Sequence, residues 1–280
     1  FIRQMIEKFI GIDRRRPLPR FHRKTFEGWF HNHVSKGEKK VAYFVDTFAN
    51  YNDPEIGIAA VNILEKNNSR VVLPKQKSSG MPYISYGDLD SAKKVAEFNV
   101  NQLTPLIEEG FEVVATEPTA AYCLTHIYPS LLGNRDSELV STHSHELFGY
   151  LMNLHKKGEF CNEFGHKYYG KVGYHQPCHS KPLLSEKPVV EVMKMIGLDV
   201  EIIDHGCCGM AGTFGLKKGL EGYDLSMEIG KELFNDFKGD FEFNITESSV
   251  CKLHIENGSG KIVNHPAELL SKSYQLETNI

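Results

Sequence analysis

Asp204-His205-Gly206-Cys207-Cys208-Gly209-Met210-Ala211-Gly212-Thr213-Phe214-Gly215 is the stretch around which the rest of the chain is read. Adjacent cysteines bond to each other only by straining the intervening peptide. Two neighbouring thiolates followed by glycines instead suit a soft metal centre, around which the backbone bends closely. Upstream stand His175-Gln176-Pro177-Cys178-His179, and downstream Thr246-Glu247-Ser248-Ser249-Val250-Cys251-Lys252. Cys178, Cys207, Cys208 and Cys251 therefore fall in three loops, a spacing unlike the paired CxxC of a zinc ribbon.

Outward from these loops the pattern alternates strand and helix. Strands are expected at 41–45, 70–73, 112–115, 171–174, 199–203, 243–245 and 262–263. Helices are expected at 56–66, 91–108, 189–196 and 223–237, with a last one from Pro266. Short β-branched runs between amphipathic helices indicate an α/β fold with parallel sheets. The two sets repeat one another. Ser78-Ser79-Gly80-Met81 occupies the place of Cys207-Cys208-Gly209-Met210, and Thr116-Glu117 that of Thr246-Glu247. Thr47 precedes Ser78 by 31 positions and Cys178 precedes Cys207 by 29. Two similar lobes follow, each with a short parallel sheet flanked by helices. The expected division is a basic N-terminal helix and arm at 1–39, a first repeat at 40–142, a helical connector at 143–170 and a second repeat at 171–280. Parallel strands leave the informative loops on the carboxyl edge of each sheet, where open α/β folds build their sites.

The motifs Tyr174-His175-Gln176-Pro177-Cys178-His179, Cys207-Cys208-Gly209-Met210-Ala211-Gly212-Thr213-Phe214-Gly215 and the Cys251 loop resemble the cysteine-rich CCG domain family. That family includes the B subunits of heterodisulfide reductases and the iron–sulfur subunits of lactate and glycolate oxidation; the strongest likeness is to the C subunits of anaerobic glycerol-3-phosphate dehydrogenases. Phe44-Val45-Asp46-Thr47-Phe48-Ala49-Asn50-Tyr51-Asn52 and His265-Pro266 extend it to about residues 40–275. Each intact repeat of the family offers one cysteine, then CCG, then a CxxC-type pair, and holds an iron–sulfur cluster. Here Thr47, Ser78, Ser79 and Ala120 replace the cysteines of the first repeat, and hydroxyls bind iron poorly. Cys123 lies three residues from the lost position and is expected in a core; Cys161 falls outside every repeat loop. In the second repeat only Ser248 departs, standing where the first cysteine of the pair would be and able to offer an oxygen.

Four thiolates at 178, 207, 208 and 251 match the need of a 4Fe–4S or 2Fe–2S cluster. They also match tetrahedral zinc, and buried thiols without metal remain a third outcome. His175, His179 and His205 flank the cysteines, where a supporting donor or packed ring is commoner than a ligand. Gly206, Gly209, Gly212 and Gly215 are expected to turn N–H groups toward sulfur. Asp88 reads as a helix cap, and so do Glu117 and Glu247.

With 280 residues, 41% hydrophobic and 24% charged, the chain reads as globular. A net charge of −4 gives no reason to expect nucleic acid. Six cysteines, four of them in the site loops, point to metal or redox work in a reducing compartment. Residues 1–25 carry eight basic and two acidic side chains beside the apolar stripe Ile2, Met5, Ile6, Phe9 and Ile10. That suits a helix on its own domain with a solvated linker, or a docking arm for a partner or anionic membrane. The start at Phe1 fits a processed product or part of a longer polypeptide.

The resemblance implies an electron-transfer subunit that accepts electrons from a flavoprotein dehydrogenase and passes them to a quinone or other acceptor, in the cytoplasm at the inner face of the membrane. The rival readings are heterodisulfide-reductase-like chemistry and a scaffold subunit with a degenerate site.

Overall fold

The computed structural model describes residues 2–183, 186–276 and 278. Two small parallel sheets organise it. The first is ordered β2-β1-β3-β4, from β1 (Lys39–Tyr43), β2 (Ser69–Val72), β3 (Glu112–Ala115) and β4 (Ser144–Glu146). The second is ordered β6-β5-β7, from β5 (Lys171–Tyr174), β6 (Asp199–Ile202) and β7 (Phe243–Ile245). The shared central order confirms the repeat. Tyr43 pairs with Val114 in the first sheet, and Tyr174 with Ile245 in the second.

Val41, Ala42, Tyr43, Phe44 and Val45 are all buried, as a parallel strand covered on both faces requires. Helix Pro54–Lys66 adds Ile56, Ile63 and Leu64 to this core. Its Gly57 leaves room for Phe26, whose ring lies 2.6 Å from where a Cβ would be and meets Tyr43 edge-on. Asp88 caps helix Leu89–Glu108 by accepting the Ser91 N–H, as expected.

Two local readings differ from the sequence expectation. The stretch from His143, expected as helix, opens with strand β4 before helix Leu147–Lys156. β4 carries no apolar signal: Ser144 donates to the Val140 carbonyl and His145 pairs with Glu112, so backbone pairing to β3 alone makes it a strand. Residues 262–263 are not a strand; one bridge from Asn264 to Ile245 stands there.

The chain divides into two compact units. One comprises 1–20, 169–178 and 198–265, with the second sheet. The other comprises 21–168, 179–197 and 266–280, with the first sheet. Helices Pro188–Met195 and Pro266–Ser273 thus belong to the unit of the first sheet, the latter packing on helix Pro54–Lys66. No helix among the described residues is long and apolar enough to cross a membrane.

Candidate metal centre

Three loops leave the carboxyl edge of β6-β5-β7, and each delivers sulfur. The first follows β5 with His175 and Cys178, the second follows β6 with Cys207 and Cys208, and the third follows β7 with Ser248 and Cys251. The sulfurs form one contacting run. Cys207 hydrogen-bonds with Cys178 and with Cys208, and the Cys208 thiol donates to Cys251 Sγ at 3.3 Å. Cys208 and Cys251 are 3% and 6% exposed, while Cys178 and Cys207 reach solvent. The run therefore passes from surface to core. All six cysteines are free thiols.

Hydrogen bonds within the run set its charge. Cys207 is held well below the ordinary thiol pKa, first by its bond with Cys178 and then by that with Cys208. Cys208 is pushed up, because it donates to both neighbours and is buried. Cys251 is lowered, chiefly by Cys208, with help from His175 and Ser248. Cys251 also lies in the first turn of helix Ser249–Ser259, whose unpaired N–H groups favour a thiolate. Two nucleophilic sulfurs thus flank a proton-bearing one.

His175 joins them: its ring nitrogen, Cys208 Sγ and Cys251 Sγ all lie within 4.8 Å of one another, fully buried. Neither ring nitrogen has an oxygen or nitrogen partner, and the ring hydrogen-bonds the Cys251 sulfur instead. His205 instead turns to helix Leu225–Asp236, bonding Asp236 at 2.7 Å and facing Glu232 at 3.4 Å, which raises its pKa. His179 bonds the Thr119 hydroxyl and stacks on Tyr122 within the unit of the first sheet. One of the three flanking histidines therefore reaches the sulfurs.

The loop holds its shape through backbone conformations that side chains disfavour. Gly209 sits at φ +94°, and a Cβ there would lie 2.5 Å from the Ser226 carbonyl. Its N–H points at Cys207 Sγ, 3.4 Å away. For Gly206 and Gly215 the expectation is corrected: the Gly206 N–H goes to Asp204 and the Gly215 N–H to the Met210 carbonyl. Glu247 accepts the Tyr174 hydroxyl at 2.8 Å, and Ser248 is the residue that precedes helix Ser249–Ser259. Glu117 does cap, accepting the Thr119 N–H.

In the first repeat ordinary polar groups fill the matching edge. Asp46 caps the helix that begins at Thr47, Gln76 bonds both backbone groups of Val45, and Asn99 bonds Lys77, Ser78 and Tyr128. Ser79 hydrogen-bonds with Cys123, which is fully buried and pushed up to about 12 by that burial. The Cys161 backbone bonds Asn67 and Tyr274, away from the sulfur run.

A family profile for the cysteine-rich domain matches residues 172–256, which contain the whole run. The C subunit of the anaerobic glycerol-3-phosphate dehydrogenase of Escherichia coli K12 is 31% identical over 97% of this chain and 69% of its own length. The chain belongs to the family of those C subunits. Lactate utilization protein A of Halalkalibacterium halodurans is 29% identical over 64% of this chain and 73% of its own. That of Geobacillus thermodenitrificans is 26% identical over 83% and 98%. The likeness to the dehydrogenase C subunits spans both repeats, whereas the family profile covers only the repeat that kept its cysteines.

Residue chemistry singled out the four cysteines but gave no sign of Arg16, counted with the solvated arm. It is fully buried beneath the sulfur loop. Three consecutive arginines carry no signal to distinguish the one that turns inward.

Proposed function

We propose that this chain is the iron–sulfur electron-transfer subunit of a flavin-dependent dehydrogenase complex of glycerol-3-phosphate or 2-hydroxyacid type. It passes electrons to a quinone or comparable acceptor, working at the cytoplasmic face of the membrane. The observation that carries this reading is the contacting run of Cys178, Cys207, Cys208 and Cys251 at one sheet edge. Relatives named as a dehydrogenase subunit and as lactate utilization proteins support it.

The residues fit such a group. Four sulfurs equal the ligand count of a 4Fe–4S cluster, and the buried His175 ring, with no oxygen or nitrogen partner, stands beside them. When bound, the cluster supplies one-electron storage, which a flavin able to release single electrons can fill. The chain's own residues prepare the ligands. Cys207 and Cys251 are biased toward thiolate, and Cys208 gives up its shared proton, as metal binding requires. The Gly209 N–H hydrogen-bonds the Cys207 sulfur and damps its charge. Ser248, 4% exposed, bonds Cys251 and offers an oxygen there. Zinc satisfies the same thiolates but stores no electron. In this reading residues 171–280 form the cluster-binding repeat, and 40–142 a repeat whose site has been rebuilt from hydroxyls and amides.

The test is Cys207→Ala in the reconstituted complex. Electron transfer from the flavoprotein partner to a quinone analogue should fall at least 100-fold while the complex still assembles. Unchanged transfer would leave the chain a scaffold only.

A further inference from the structure

Arg16 is delivered to the sulfur loop by a short strap. Ile12 bridges Lys217 in antiparallel fashion, the Asp13 N–H donates to the Leu216 carbonyl at 2.8 Å, and the Lys218 N–H donates to the Gly11 carbonyl at 2.8 Å. The guanidinium then bonds several elements at once. Nε donates to the Gly215 carbonyl at 3.0 Å and Nη2 to Ser226 Oγ at 2.7 Å. Nη1 donates to Asn257 Oδ1 at 2.8 Å and His254 Nδ1 at 2.6 Å, and the Tyr223 ring lies 4.6 Å away. Gly215 ends the loop that carries Cys207 and Cys208. His254 and Asn257 share helix Ser249–Ser259 with Cys251.

Every one of these acceptors is neutral. His254 Nε2 donates to the Ser226 carbonyl at 3.0 Å, which leaves Nδ1 as the acceptor for Arg16. The nearby carboxylates are taken: Arg15 holds Asp13 through Nε and Nη2, and Asp224 at 2.7 Å. An arginine stays protonated in proteins. A buried cation among neutral dipoles is costly unless an opposite charge faces it. Burial opposes the charge, and Tyr223 and Asp13 support it ahead of Cys208, but Asp13 is already held by Arg15; the groups that gain negative charge on binding metal are the thiolates.

We propose that Arg16 is the positioning counter-cation of the sulfur site: it clasps the Cys207–Gly215 loop to the Cys251 helix and compensates the negative charge the thiolates gain on binding metal. This rests on the iron–sulfur reading. It links the strap to metal, because whatever stabilises the thiolates also stabilises the docked Arg16, and the converse.

The test compares wild type, Arg16→Gln, Arg16→Lys and Asn257→Asp in the full chain, prepared without oxygen and loaded with iron and sulfide. Loading should slow hydrogen exchange at the Asp13 and Lys218 amides at least tenfold in wild type. In Arg16→Gln that slowing should vanish, and iron loss to a chelator should accelerate at least tenfold. Asn257→Asp keeps the guanidinium but hands it a carboxylate. Its reduced-to-oxidised ratio at fixed poise should fall at least tenfold, ~59 mV for a one-electron couple. Arg16→Lys should keep the wild-type ratio but lose the exchange protection, since it keeps the charge and loses the fork. Should Arg16→Gln fail to fold, Asn257→Asp decides alone. An iron-loaded Asn257→Asp protein with wild-type ratio and wild-type exchange overturns the proposal. An iron-free wild type would instead remove the cluster reading itself, and this inference with it.

Discussion

Replacing Gly209 by alanine asks the sulfur loop for two things it cannot give. At φ +94° an L-residue is strained by roughly 1–2 kcal/mol. The new methyl would also stand 2.5 Å from the Ser226 carbonyl and 3.0 Å from Ile229 Cβ. Forcing extra atoms into packed space costs about 1–3 kcal/mol, so the total should come to about 3 kcal/mol. Gly206 is the internal control: its φ is +78°, yet nothing lies within 4 Å of its would-be Cβ. Gly206→Ala should therefore cost only the backbone share, about 1–2 kcal/mol. Urea unfolding of the metal-free variants measures both, with unchanged denaturant dependence as the check on compactness. The Gly209 variant should lose more stability than the Gly206 variant, and after loading it should also hold less iron, since Ser226 positions both the loop and Arg16. Equal losses in the two variants would refute the packing argument.

Other outcomes follow from the same structure. Glu146 accepts the Phe148 and Gly149 N–H groups through one oxygen, while the other is buried without a partner and burial raises its pKa to about 7. Because the folded state holds this proton more tightly, its contribution is complete below the unfolded carboxyl value and is lost as pH rises through about 7. Glu146→Gln should therefore stabilise the protein at pH 8, by at most ~3 kcal/mol at ~1.4 kcal/mol per pH unit, and give little gain near pH 4.5; urea titrations at the two pH values decide it. Tyr174→Phe removes the buried hydroxyl that donates to Glu247 and should cost ~1.5–3 kcal/mol, whereas Tyr43→Phe, which loses a neutral bond to Thr116, should cost ~0.5–1.5 kcal/mol. Denaturation of the two variants side by side tests whether the second repeat holds its edge with charge. Cys161→Ser should leave iron content unchanged, while Cys208→Ser should abolish stable loading; metal analysis reads both.

How far the sequence reached depended on what each residue had to signal. The repeat was legible because Ser78-Ser79-Gly80-Met81 keeps the turn of Cys207-Cys208-Gly209-Met210 after its chemistry has gone; Gly80 and Gly209 share a positive φ. That the loops of Cys178, of Cys207 and Cys208, and of Cys251 leave one sheet edge was legible because parallel strands place their following loops together. Strand β4 was not, since Ser144, His145 and Glu146 show no apolar alternation and are fixed by backbone pairing. Helices Pro188–Met195 and Pro266–Ser273 were recognisable as helices, but their membership in the unit of the first sheet depends on tertiary packing that periodicity does not encode. Arg16 was hidden for a similar reason: its burial comes from the strap to Lys217 and Leu216, some two hundred positions away in the chain.

Iron and acid-labile sulfide, quantified together with EPR on protein prepared without oxygen from intact cells, bear most directly on the sulfur run as a redox centre. The account predicts about four irons and four sulfides per chain, a signal on reduction, and loss of both in Cys207→Ala and Cys251→Ser. An iron-free, EPR-silent wild type that remains folded would contradict it.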